Sequence, residues 1–546
     1  MDINHGSFVA NIVQIPERRI FLGKISWQDG LITEIAKQGE QDPKANFLLP
    51  GFIDAHIHIE SSMLTPAEFS RIASRHGTVA AVSDPHEIAN VMGLEGIRFM
   101  IDNAQQTPMP IFFGAPACVP ATPFETAGAE IGAQELETLF RNGMTSYLSE
   151  MMNYPGVLNN DPATIDKLAL ARRFGCTVDG HAPGLTGLDA RRYAQAGIST
   201  DHECSTLAEA EAKLAAGMRI LIREGSAARN FEALHPLISR HPDQVMFCSD
   251  DKHPDDLFES HINALAARAV AKGHDLFKVL RCACLNPIEH YRLPLGRLVI
   301  GDRMDAVTVS DLRSFTPLAT WISGIKVAEN GNSLLTGISP SPINRFNARA
   351  ISPKDLEIES QAKTIRVIKA LDGDLTTQER LCTPKIKDRK IVTDRQRDIL
   401  LLTVVNRYQP AKPALAFING FGLKQGALAS SVAHDSHNII AVGVDTDSIC
   451  HAVNSIIETQ GGIAAATQSR VELLPLPIAG LMSNGDGDLV AARYAELNAL
   501  AKSMGSTLRA PFMTLSFMAL LVIPELKLSD RGLFDGRTFQ FTSLTI

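Results

Sequence analysis

Between residues 51 and 250, short apolar runs alternate eight times with helix-length segments, and this alternation restricts the fold more than any other feature of the chain. The runs span 52–56, 79–84, 111–115, 145–150, 177–181, 198–202, 219–222 and 245–250. Strands that read as nearly continuous apolar runs are buried on both faces, and intervening helices make neighbouring strands parallel. Eight such units in about 200 residues predict a compact (β/α)8 TIM barrel, an α/β fold. The intervening stretches 66–75, 163–174 and 207–216 read as helices. Pro66 and Pro162 stand where a first helical turn tolerates proline. Gly77, Gly175, Gly197 and Gly217 stand where a helix closes on a left-handed residue.

A chain of 546 residues exceeds what one core serves, roughly 250–300 residues, so further domains are expected. Before the barrel, residues 8–15, 20–27 and 31–35 are β-rich, with Gln28-Asp29-Gly30 as a hairpin turn. After about residue 290 the alternation stops, and strand-like stretches near 305–309 and 325–328 are suited to pair with the N-terminal ones. The expected division is a small β-sandwich built from both flanks (1–48 and 293–345), the catalytic barrel at 49–292, and an α+β C-terminal domain at 346–546.

Charge and cysteine usage narrow the partners. A formal net charge of −8 argues against nucleic acid or an anionic membrane surface and leaves small, neutral molecules. The eight cysteines form no CxxC pair and are too sparse for a disulfide scaffold, which fits a reduced cytoplasm. Cys282-Ala283-Cys284 falls in a helix-like stretch and reads as buried packing. No basic segment followed by an apolar stretch opens the chain. The apolar stretch 512–523 is too short for a bilayer, which needs about 20 residues.

The chemistry collects at the ends of the barrel strands. His56 and His58 close the first run two residues apart, so both imidazoles point to one face. Glu150 ends the fourth run, His181 the fifth, His202 the sixth and Asp250 the eighth. Active-site groups of such barrels sit at the C-terminal strand ends. Packing does not explain four histidines and two carboxylates on one rim, because buried charges demand partners. Imidazole with carboxylate suits divalent transition ions, and six ligands exceed the four of a single tetrahedral zinc. A two-metal site bridged by Glu150 is the economical reading. Asp250 is placed to accept the proton of a water acidified to a pKa of about 7.

Longer motifs surround these residues. The run Leu49-Pro50-Gly51-Phe52-Ile53-Asp54-Ala55-His56-Ile57-His58 resembles the amidohydrolase superfamily. Ile59-Glu60-Ser61-Ser62-Met63 and Asp84-Pro85-His86-Glu87-Ile88-Ala89-Asn90-Val91 resemble the bacterial adenine deaminase family. So do Glu150-Met151-Met152-Asn153, Asp179-Gly180-His181-Ala182-Pro183-Gly184 and Asp250-Asp251-Lys252-His253-Pro254-Asp255-Asp256. His434-Asp435-Ser436-His437-Asn438 and residues 511–528 extend the likeness to the C-terminus, although residues 460–466 are more alanine-rich than that family's pattern.

The resemblance implies hydrolysis of adenine to hypoxanthine and ammonia by a homodimer holding two divalent metals, Mn2+ or Fe2+ with Zn2+ as an alternative. It places His56, His58, Glu150, His181, His202 and Asp250 as metal ligands. Deamination also needs a donor at the ring nitrogen and an acid for ammonia. Asp250, Glu203 and His86 are the catalytic candidates, and Asp251, Glu87, His434 and His437 the substrate-binding ones. Blander readings are a helix N-terminus for His86 and Glu87, a partner orienting His202 for Glu203, and a solvated carboxylate for Asp251. The histidine cluster at 434–437 either closes the barrel mouth or forms a polar turn of a dimerisation domain. The alternatives are a deaminase of a related heterocycle and a cyclic amidohydrolase of the dihydroorotase or hydantoinase type, but the latter would carry a lysine on the fourth strand, and none lies between Gly143 and Asp166. A cytidine-deaminase site would need PCxxC, which is absent.

Overall fold

A computed structural model describes residues 4–359 and 361–546. The first strands are β1 (Gly6–Gln14), β2 (Arg19–Gln28), β3 (Leu31–Glu40) and β4 (Phe47–Pro50). Gln28 pairs with Leu31, which leaves Asp29-Gly30 as a two-residue loop with both φ angles positive, 51° and 78°. That is the hairpin turn whose twist matches its strands.

The barrel strands follow as β5 (Phe52–Ile57), β6 (Thr78–Ser83), β7 (Ile111–Ala115), β8 (Tyr147–Met151), β9 (Thr177–Gly180), β10 (Thr200–Asp201), β11 (Arg219–Arg223) and β12 (Val245–Cys248). Neighbours from β5 to β9 and from β10 to β12 are parallel. Ser199 N donates to Val178 O at 2.9 Å between β9 and β10, and Asp250 N donates to His56 O at 2.9 Å where β12 meets β5. These bonds close the ring. Gly51 permits its start, because a Cβ there would lie 2.1 Å from Val79 Cγ1. The expected helices are present at Pro66–Arg75, Pro162–Phe174 and Leu207–Ala215. Gly175 caps the second at φ 67°, a conformation that glycine adopts without strain.

After the barrel come β13 (Ala306–Val309), β14 (Pro317–Ile322), β15 (Ile325–Glu329) and β16 (Asn332–Ser333). They join the N-terminal strands in one sheet of order β16-β15-β14-β13-β4-β1-β2-β3. The sheet curls over itself. Trp27 Nε1 on β2 donates to Gly324 O at 3.2 Å, just past β14, although those strands stand four places apart. In a flat sheet they would be about 19 Å apart.

The C-terminal region builds a second eight-stranded sheet. Its order is Thr377–Cys382, Ile365–Ala370, Ala414–Asn419, Leu400–Val405, Ile439–Gly443, Ala427–Ser430, Gly462–Ala466 and Val471–Pro475. The alanine-rich stretch is therefore a buried strand of this sheet. Helices Thr446–Glu458 and Gly487–Ser503 and the short helix Pro511–Ser516 complete the region. All eight cysteines are free, and Cys282 and Cys284 are buried in a π-turn over Arg281–Leu285. No helix among the described residues is long and apolar enough to cross a membrane.

Candidate metal centre and its cover

The six rim residues converge. His56 and His58 leave the end of β5 with their Nε2 atoms 3.2 Å apart, and Asp250 Oδ1 lies 3.5 and 3.3 Å from them. Glu150 at the end of β8 faces both ways. Its Oε2 accepts from His181 Nδ1 at 2.9 Å and lies 3.2 Å from His202 Nε2, while its Oε1 lies 3.4 Å from His58 Nε2. The His56 and His202 rings stack at 4.3 Å and join the two halves. All six residues are buried.

This donor set fits divalent ions. Atoms about 2.0–2.1 Å from a common ion stand about 2.9–3.4 Å from one another, close to the 2.9–3.5 Å spacings within the two halves. Without a cation, two imidazole nitrogens and a carboxylate oxygen would face one point with few protons to share. The buried clusters His56, His58, Asp250 and His56, Glu150, His202 are each compact enough to hold an ion.

The supporting contacts explain the placement. Asp54 lies beneath the histidine pair and accepts from Ser249 N at 3.0 Å and from His261 Nε2 at 2.8 Å. It thereby pins β5 to the segment carrying Asp250. Buried Lys213 donates to Ala182 O at 2.7 Å and Asp201 Oδ2 at 3.0 Å, bracing the residues beside His181 and His202. Asp250 itself is left-handed, φ 54°. Strain of this kind gathers at functional sites.

Arg223, which the sequence reading left out, completes the rim from the end of β11. Its guanidinium binds both Glu203 oxygens and donates to Asp250 Oδ2 at 2.7 Å. The apolar run of this strand ends at Ile222, yet the strand-end rule that points to the other rim residues applies one residue later. Burial raises the cost of ionising Glu203, but Arg223 and His181 outweigh it and hold the carboxyl below its usual range.

The remaining candidates line the space above the rim. His86 begins the helix His86–Met92, and its Nδ1 stands 3.0 Å from Asp84 Oδ2. Its Nε2 makes no hydrogen bond and lies 3.4 Å from Glu87 Oε1 and 3.8 Å from Asp435 Oδ1. Asp251 accepts from Ser61 Oγ at 2.5 Å and is pushed above the usual carboxylate range, mainly by burial. His253, left unassigned from sequence, is buried and hydrogen-bonded to Tyr494 Oη, away from the rim.

The C-terminal region supplies the ceiling. Leu375, His434, Asp435, Phe517 and Leu520 face the same cavity as His86, Glu87, Glu203 and Asp251. His434 Nδ1 and His437 Nε2 each bind one oxygen of Glu87, across about 350 residues of sequence. Of the two, only His434 lines the cavity, and its Nε2 is unpartnered. Burial would lower the His434 pKa, but Glu87 and Asp251 outweigh it and raise it to about 9. The 434–437 cluster thus sits over the barrel mouth. Asp435, unmarked in the sequence reading, adds a buried Oδ2 without a partner.

An eight-stranded barrel with histidines and carboxylates gathered at its C-terminal rim defines the amidohydrolase class, and residues 47–327 match the amidohydrolase family. Residues 374–540 match the adenine deaminase C-terminal domain. The chain is 52% identical over 533 residues to an adenine deaminase of Sulfurovum sp., covering 97% of this chain and 98% of that one. It is 50% identical over 537 residues to an adenine deaminase of Salinibacter ruber, covering 98% of each chain. It is 48% identical over 550 residues to one of Methanosarcina mazei, covering 98% of this chain and 99% of that one. The chain belongs to the adenine deaminase family of amidohydrolases.

Proposed function

We propose that this protein hydrolyses adenine to hypoxanthine and ammonia, a purine-salvage reaction. The observation that carries the reading is Glu150, whose two oxygens each face one half of a paired histidine–carboxylate rim, under a cover formed by the family's own C-terminal domain. One divalent ion would be held by His56, His58, Asp250 and Glu150, and a second by Glu150, His181 and His202. The mixed imidazole and carboxylate set suits Mn2+ or Fe2+, with Zn2+ as the alternative. Bound ions supply a water acidic enough to react near neutral pH.

The chain's own residues manage protons and orientation. Asp250 takes the proton of the attacking water. Attack at C6 moves an electron pair onto the ring nitrogen N1, which needs a proton, and ammonia departs carrying another. His86 is suited to protonate the leaving group, because Asp84 binds Nδ1 while Nε2 makes no hydrogen bond and the residue lines the cavity. Glu203 has both oxygens engaged by Arg223 and acts by fixing that cation beside Asp250. His434 offers Nε2–H to a ring nitrogen, Asp251 accepts a ring N–H, and Glu87 with His437 fixes His434. We take the homodimer and the cytoplasmic setting as part of the same reading; sedimentation of the purified protein checks the first.

The test is adenine with Mn-loaded protein, following hypoxanthine and ammonia. Equimolar release of both is expected, with two metals per chain in fully active protein. Full activity at one metal per chain would refute the binuclear centre, and no turnover of adenine would refute the function. His434→Gln removes a charged donor worth about 1.5–3 kcal/mol, so kcat/KM is expected to fall roughly 10- to 100-fold with both metals retained. His437→Gln reaches the cavity only indirectly, through Glu87 and the loop backbone at Ala433, and should cost less. If both variants keep native kcat/KM, the loop does not contribute to the site.

A further inference from the structure

One buried lysine is unused by this chemistry. Lys527 lies on the strand Leu526–Ser529 and is fully buried. It forms no ion pair among the described residues. Its Nζ donates to Leu375 O at 2.6 Å and to Phe517 O at 2.9 Å.

Those carbonyls belong to two separate segments. Leu375 sits in the turn between the strands Ile365–Ala370 and Thr377–Cys382, and Phe517 opens the turn Phe517–Ala519. Both side chains face the active-site cavity. The Phe517 ring stacks on His434 at 4.8 Å and 22°, and His434 holds Glu87 of the barrel. A continuous path of contacts therefore runs from the lysine to the barrel mouth.

We infer that Lys527 is a positioning residue that sets the apolar ceiling over the substrate by tying the backbones of Leu375 and Phe517 to one nitrogen. The inference rests on the adenine reading, since a flat heterocycle is what such a ceiling would pack against. Placing a lysine here is unfavourable by itself: burial lowers its pKa to about 7, against a weak opposing pull from Asp374. Its amine reaches both carbonyls at once, each through one N–H. An apolar residue would fill the same space without that cost but would leave both segments untied.

The experiment compares Mn-loaded full-length wild type, Lys527→Met and Lys527→Gln for metal content, kcat and KM with adenine. Loss of packing against the bound base removes binding shared by ground and transition states, so KM carries the effect. We expect Lys527→Met to bind two metals, raise KM at least tenfold and change kcat less than threefold. Lys527→Gln, which keeps two N–H donors on a shorter stem, should recover part of the KM. In a Phe517→Ala background, Lys527→Met should change KM by clearly less than it does in wild type, because only the Leu375 half of the tie still reaches the cavity. The inference is overturned if Lys527→Met lowers only the melting temperature, or if its KM effect is undiminished without Phe517. If the Met variant does not fold, the Gln variant is compared with wild type in both backgrounds by the same criteria. Wild type inactive on adenine would sink the proposed function; active wild type with unaltered Lys527 variants would sink this inference alone.

Discussion

Replacing Asp250 with Asn is expected to lower kcat at least a thousandfold, about 4 kcal/mol of transition-state stabilisation, while leaving the barrel folded. The change is nearly isosteric and isolates charge from shape. Asp250 has φ 54°, a conformation that Asn tolerates as readily as Asp, so the backbone bonds to His56 and His58 survive. Arg223 loses one counter-charge but keeps both oxygens of Glu203, so no unpaired cation is left buried. What disappears is function at Oδ1, which lies 3.5 and 3.3 Å from the two imidazole nitrogens of β5. An amide cannot accept the proton of water, and a positioned acid or base alone is worth about 10²–10⁴ in rate. Weaker metal binding adds to the loss. Circular dichroism, metal content and single-turnover kinetics separate these contributions. A variant retaining more than about a tenth of wild-type kcat would mean that Asp250 supplies less than about 1.4 kcal/mol, and the base would have to be another group.

The barrel was legible because its signal is local. Strands buried on both faces read as apolar runs, and helices between them end on glycine, so all eight strands lie within two residues of their expected bounds. The rim residues were legible for the same reason, since strand ends in this fold point into one mouth. Arg223 was missed by one residue of strand length. The cover was legible only as a polar loop with two readings, closure of the barrel mouth or a turn of a dimerisation domain. Nothing periodic connects Glu87 to His434, or Leu375 and Phe517 to Lys527. Those contacts depend on the C-terminal sheet, whose strand order departs from chain order. Asp435 and Lys527 each look ordinary in sequence; in the fold Asp435 buries an Oδ2 that makes no hydrogen bond, and Lys527 is buried on two backbone carbonyls.

Glu150→Gln should reduce bound metal from two per chain to one or fewer and lower kcat at least a thousandfold. The reason is geometric as well as electrostatic. Oε2 serves His181 and His202, and Oε1 faces His58 and His86, so each oxygen belongs to a different half of the rim. Glutamine keeps one oxygen and replaces the other with an amide nitrogen that has no lone pair to offer a cation. Whichever way it turns, one half loses a ligand and gains two hydrogens pointing at imidazole nitrogens. The lost charge matters too. Burial disfavours the Glu150 carboxylate, yet His181 and His202 hold it well below its usual range, so its charge compensates that part of the site. Glu150→Asp tests reach against charge. It restores the carboxylate on a stem one methylene shorter, about 1.5 Å, too short to face both halves at once. If bridging is what matters, Asp should fail nearly as badly as Gln. If charge alone matters, Asp should recover both metals and most of the rate. Elemental analysis after dialysis, paired with steady-state kinetics at saturating Mn2+, reads both outcomes. A Gln variant holding two metals with more than a tenth of native kcat would show that Glu150 does not bridge the site.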